Sequence, residues 1–157
     1  IGHLAYIREG ARDFFRKVKL YDITYEVDNE KYRGLFSFAL ITNANRVAGI
    51  NNFYKDIKLD DNKFEVLLCN ITKLKDIIKT LYFFALYDAS KIPGFYFYQT
   101  DNIKIKFNSP LKKPLCIDGE SFDDMSGSYN IKIDHDVYVL MPSKNVNNLF
   151  FNDKKEL

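Results

Sequence analysis

The chain has 157 residues, of which 23 are Lys or Arg and 21 are Asp or Glu, for a net charge of +2. A chain of this length makes one domain, and one this size buries roughly 68–70% of its unfolded surface, enough for a core without disulfide staples. The two charge signs are interleaved with no basic stripe, which removes support for a nucleic-acid partner; the longest apolar run, residues 81–87, is far too short to cross a bilayer.

In chain order, residues 4–19 place Ala5, Ile7, Ala11, Phe14, Phe15 and Val18 at mostly helical spacing, with Gly10 as the weak point. The chain begins without Met and inside this pattern, so a fragment or processed form is expected. Tyr21, Ile23, Tyr25 and Val27 then alternate with Asp22, Thr24 and Glu26, the signature of a half-buried strand. Asp28-Asn29-Glu30-Lys31 reads as a hairpin turn. Residues 32–42 read as one long apolar strand ending at Asn43-Ala44-Asn45, and the stretch to Asn62 is polar.

Residues 64–69 predict another strand. Asn70 is placed to cap a helix over about residues 71–87, whose Ile71, Leu74, Ile78, Leu81 and Ala85 form the stripe of a helix lying on a sheet. Pro93-Gly94 breaks the chain. Strands are then predicted near residues 95–99, 103–107, 115–117 and 129–133, and a last one over 137–141 stops at Pro142. The tail 143–157 is polar around Leu149-Phe150-Phe151. Many short strands with one or two helices predict a mainly β domain, an antiparallel β-sandwich. With 14 Phe, 11 Tyr and no Trp, the aromatic content suits pleated, packed surfaces, and would also suit an apolar ligand groove. Cys69 and Cys116 each lie in an apolar run and read as small buried hydrophobes in a reducing compartment. Neither has a CxxC neighbour, and His3 and His135 are far apart, so no zinc site is expected.

The stretch richest in chemistry is Ile117-Asp118-Gly119-Glu120-Ser121, directly after the apolar run 114–117. A strand that ends this way can aim a carboxylate out of the sheet and into a site, and the glycine lets the backbone turn. Two acids so close are not both buried cheaply unless something pairs with them. Asp-Gly is equally an ordinary hairpin turn.

Three patterns, in order, resemble the C-terminal domain of the diacylglycerol kinase-like lipid kinases, a family that includes bacterial diacylglycerol kinases, YegS-type kinases and sphingosine kinases. The first is a strand ending in Asn43, followed by Ala48-Gly49, where the family has two or three glycines. The second is Lys55-Asp56-Ile57-Lys58-Leu59-Asp60-Asp61-Asn62-Lys63-Phe64, set against the family's Pro-x-Ala-x-Leu-x-Asp-Gly-x-Leu. Asp61 is kept, Lys55 replaces the proline, and Asn62 replaces the glycine, which Asn can do because it also reaches left-handed backbone angles. The third is Asp118-Gly119-Glu120, followed by the strand 129–133 and by residues 136–142.

The resemblance implies a domain over 1–142, a tail over 143–157, and a nucleotide-binding N-terminal domain that this chain lacks, since it has neither Gly-Gly-Asp-Gly-Thr nor a GxxxxGK[ST] loop. It implies transfer of the γ-phosphoryl group of ATP to a lipid hydroxyl, diacylglycerol first among the candidates, by a cytoplasmic, peripherally membrane-associated enzyme. Glu120 matches the family's catalytic base, with Asp118 and Gly119 supporting it, and this chain alone is expected to be inactive. The loop around Asp61 matches a structural magnesium site, with the carboxylate of Asp61 and the backbone oxygens of Lys58 and Lys63 as ligands. Two other readings stay open: a non-catalytic lipid- or protein-binding β-sandwich, and a fragment of an NAD kinase-type enzyme. The sequence is silent on oligomeric state, a homodimer included.

Overall fold

In a computed structural model, residues 19–44, 54, 57–73, 76 and 92–134 are described. The alternating segment at the start forms β1 (Tyr21–Val27), whose Ile23, Tyr25 and Val27 are buried while the residues between them are only partly so. Asp28 and Asn29 both have positive φ, 51° and 63°, the two-residue turn whose twist matches an antiparallel hairpin. The turn leads into β2 (Glu30–Phe36), paired with β1 from Tyr21↔Phe36 to Val27↔Glu30.

Residues 32–42 do not make one strand. The chain breaks at Ser37, and β3 (Phe38–Thr42) belongs to a different sheet. At the break the Ser37 backbone N–H donates to the Cys69 carbonyl at 2.7 Å, and the Ser37 hydroxyl donates to the same oxygen at 3.0 Å. Apolar continuity reports burial, and burial persists here because the chain steps from one layer of the core into the other.

The remaining strands are β4 (Phe64–Cys69), β5 (Phe95–Thr100), β6 (Asn102–Phe107), β7 (Leu115–Ile117), β8 (Glu120–Phe122) and β9 (Ser128–Lys132). They form a four-stranded sheet β2-β1-β6-β9, a three-stranded sheet β3-β4-β5 and the two-stranded ribbon β7-β8, every pairing antiparallel. The main core joins Ile23, Tyr25, Val27, Phe36, Ile103 and Ile105 of the first sheet to Phe64, Val66 and Leu68 of the second, so the two sheets pack face to face as the expected antiparallel sandwich. Strand β4 is buried at all six positions. Its Leu67 points to the other face, where Tyr54 and Ile57 cover it beside Leu40, Phe95 and Phe97.

The expected helix does not begin at Ile71, because residues 71–73 are not helical; Asp76 is. Asn70 is occupied otherwise: its N–H donates to the Gly94 carbonyl at 3.1 Å and its side-chain amide to the Tyr96 hydroxyl at 3.4 Å. The rest of that helix, the helix over 4–19 apart from Lys19, the Ala48-Gly49 pair, the strand 137–141 and the tail lie outside the described residues.

On the outer face of the larger sheet, Arg33 makes a two-pronged ion pair with Asp22, at 2.9 and 2.6 Å, and Asn108 donates to the same carboxylate at 2.9 Å. The Arg33 hydrogen bond, helped by Asn108, holds Asp22 at about 2, well below the usual carboxylate range. A depressed carboxylate contributes stability that is full above its unfolded value and is lost as pH falls through its folded one. Titration of Asp22 by carboxyl-carbon NMR is expected to show a midpoint near 2, and Arg33→Ala is expected to move it up toward the ordinary range. Ile103 is 0% exposed at the centre of the sandwich; Ile103→Ala is expected to cost about 2–5 kcal/mol, read as a lower urea midpoint at unchanged slope.

Candidate functional site

The Asp118-Gly119-Glu120 segment is a hairpin tip. Asp118 and Gly119 have φ of 50° and 90° and form the two-residue turn between β7 and β8. An added Cβ on Gly119 would meet nothing within 4 Å, so the positive φ alone makes glycine the apt residue there. Glu120 is therefore the first residue of β8, opposite Ile117, and it is exposed. The sequence did not reveal β8; its three residues are too few and too polar to show a period.

The ribbon is tied to the sandwich by its return leg. Phe122 lies on the same side of β8 as Glu120, two residues on, and its ring sits 6.5 Å from that of Tyr129 on β9. Tyr129 also meets Phe107 edge-on at 6.3 Å, and its hydroxyl donates to the Asp124 carbonyl at 2.6 Å. The Asp124 carboxylate in turn accepts from the Ser126 N–H at 2.8 Å, and Gly127 accepts from the Phe107 N–H at 2.7 Å. Cys116, expected to be buried, is exposed, because the two-stranded ribbon leaves that face uncovered; Cys69 is buried as expected.

The second group of sequence-chosen residues lies on the loop ahead of β4. Asp61 accepts a hydrogen bond from the Lys63 N–H at 3.0 Å, and Asn62 has φ of 59°, the left-handed angle the family's glycine would supply. Asp61 and Lys58 are partly buried and Lys63 is exposed. No hydrogen bond or ion pair among the described residues joins Glu120 to this loop, so the two groups stand on separate supports.

Sequence reasoning passed over Glu65. It is 0% exposed on β4, and the Gln99 amide donates to its Oε1 at 3.3 Å from the facing position on β5. Burial pushes its carboxyl up to about 7, and the nearby charge of Asp61 pushes the same way. The signal was present: one acid within an apolar strand whose neighbours are buried on both faces is itself buried.

Among the described residues, no group of three or more His, Cys, Asp or Glu side chains could hold a metal. A cation at the loop would thus depend on backbone oxygens beside Asp61, an all-oxygen set that suits magnesium or calcium. Glu65, two residues past the end of this loop, keeps one buried carboxyl oxygen without a hydrogen-bond partner, an orphaned acceptor that fits such an ion. Also among the described residues, no helix is long and apolar enough to cross a membrane.

No family model matches the chain. A diacylglycerol kinase of Staphylococcus saprophyticus is 24% identical over 146 residues, which is 92% of this chain and 47% of that protein. The chain thus spans about half the length of this curated relative. Two solved structures of a "putative diacylglycerol kinase" from Bacillus anthracis str. Sterne share the fold. One has a TM-score of 0.59 at 18% identity, covering 81% of this chain and 41% of the other; the second has 0.54 at 18%, covering 74% and 36%. The resemblance to diacylglycerol kinase-like proteins drawn from the motifs holds in both sequence and fold.

Because Tyr129 pins the ribbon through its ring and its hydroxyl, Tyr129→Ala is expected to loosen residues 115–122 while the sandwich stays folded. Hydrogen exchange should then show lost amide protection in the ribbon and intact protection in β4. Unchanged protection in the ribbon would mean that other contacts hold it.

Proposed function

We propose that this chain is the lipid-side domain of an ATP-dependent lipid kinase whose acceptor is a lipid hydroxyl of the diacylglycerol type. The observation that carries the reading is the sequence match to a curated diacylglycerol kinase over 92% of the chain, joined to a hairpin that presents Glu120 to solvent at its tip.

In this reading Glu120 takes the proton of the attacking hydroxyl as that oxygen bonds to the γ-phosphorus and ADP leaves. The two-residue turn at Asp118-Gly119 fixes where β8 begins, and therefore where Glu120 stands. An exposed base suits a reaction completed between two domains: water leaves it only when the nucleotide side closes over it. A positioned base typically contributes about 10²–10⁴-fold, and alignment of the two reactants about 7–11 kcal/mol, so alignment is the larger effect and needs the nucleotide. ATP is assigned to a nucleotide-binding domain, since this sequence holds no phosphate-binding glycine motif of its own. Asp61, with the backbone oxygens of Lys58 and Lys63, would hold a magnesium ion that fixes the loop. The enzyme acts at the cytoplasmic membrane surface as a peripheral protein, where its lipid resides.

The test is Glu120→Gln in the intact protein, assayed for ATP-dependent phosphorylation of diacylglycerol in mixed micelles. Turnover is expected to fall by about 10²–10⁴-fold with an unchanged melting temperature. Near-normal turnover would remove Glu120 as the base, and no phosphorylation of any diacylglycerol by the wild-type protein would remove the substrate class.

A further inference from the structure

Glu65 is the one buried charged residue in the described part of the core, and its surroundings are incompletely matched. Its Oε1 has Gln99, but Oε2 is buried with no hydrogen-bond partner, and no ion pair among the described residues reaches it. A carboxylate oxygen so placed is ordinarily bonded or charge-paired.

The fold says what lies over it. Alternate residues of a strand share a face, so Glu65 is on the side of β4 that carries Leu67, and Tyr54 and Ile57 pack on Leu67. The chain then continues from Ile57 through Lys58 to Lys63 and re-enters the sheet at Phe64. The loop therefore joins the cover on Leu67 to the start of β4, where Glu65 is the second residue. Asp61, half-buried in this passage, is near enough to Glu65 for its charge to act on it. Asp61 is part of this loop, and Glu65, two residues past its end at Lys63, keeps a buried oxygen without a hydrogen-bond partner.

We propose that Glu65 is a second carboxylate of the cation site at residues 58–63, presenting Oε2 to a divalent, oxygen-preferring ion of the magnesium or calcium class. The inference rests on the reading of that loop as a metal site and adds a residue that the loop's own sequence does not contain. It changes what the ion does. Held only by the loop, an ion would order a surface turn; shared with Glu65, it neutralises a charge inside the sheet and ties the loop to the central strand. Gln99, facing Glu65 on β5, acts as a positioning residue that leaves one carboxylate oxygen for the ion.

The experiment uses the intact protein stripped with EDTA, with magnesium or calcium titrated back while thermal melting is followed, and with manganese binding measured by calorimetry. Wild type is expected to gain melting temperature with added cation. Glu65→Gln is expected to melt higher than wild type without cation and to bind it at least tenfold more weakly; Asp61→Asn is expected to lose the cation response. Glu65→Asp keeps the charge but shortens its reach, so it should also weaken cation binding, and it serves if the Gln variant does not fold. Wild-type cation affinity in a folded Glu65 variant, with the response lost in Asp61→Asn, would overturn the role of Glu65 and leave the loop site standing. No response in wild type to any of the three cations would overturn the loop site and this proposal together. Neither result depends on kinase turnover.

Discussion

Everything in this domain hangs on the burial of β4 from both sides. Phe64, Val66 and Leu68 close the sandwich against the larger sheet, while Leu67 is covered from the opposite face by Tyr54 and Ile57. A strand with no solvent-facing side leaves its neighbours little choice of register, since a slip of one residue would exchange the two sets of contacts. The loop at 57–63 inherits this constraint, because its first residue is part of the cover and its last precedes the strand. The candidate cation site is therefore built where the chain is held hardest, although all its ligands but Glu65 are loop residues.

The ribbon with Glu120 is built on the opposite principle. Among the described residues no layer lies above its two short strands, Ile117 and Phe122 remain exposed, and Tyr129 joins it to the sandwich. Rings supply the contact area, and a phenol hydroxyl to a backbone carbonyl fixes the angle. In the proposed function Glu120 meets a nucleotide-binding domain and a lipid, and a group with that task is better placed on such a projection than within a sheet. The price is that its position depends on a few contacts near one aromatic residue.

How much of this could be read from the sequence depended on whether a residue's surroundings were local. The period-two alternation at residues 21–27 placed β1, and the left-handed capacity of Asn62 was correctly read from its side chain. The break at Ser37 was not legible, because the residues around it stay apolar while the chain changes sheets. Cys116 was judged by its apolar neighbours, yet whether a ribbon face is covered is decided by distant parts of the chain. Glu65 was passed over, although the strand around it already indicated burial. Of the candidate site, the turn chemistry of Asp118-Gly119 was visible in two residues, whereas the anchoring by Tyr129 joins positions that no spacing rule connects.

The crossing at Ser37 has a mechanical side. β2 ends at Phe36 and β3 starts at Phe38, so one residue spans from an edge of one sheet to an edge of the other, and it is clamped to the Cys69 carbonyl at the end of β4. A joint this short has no slack. The two layers cannot shear past one another without stretching it, so a displacement imposed on either sheet by a docking domain would be carried into the other as a rigid movement at that corner.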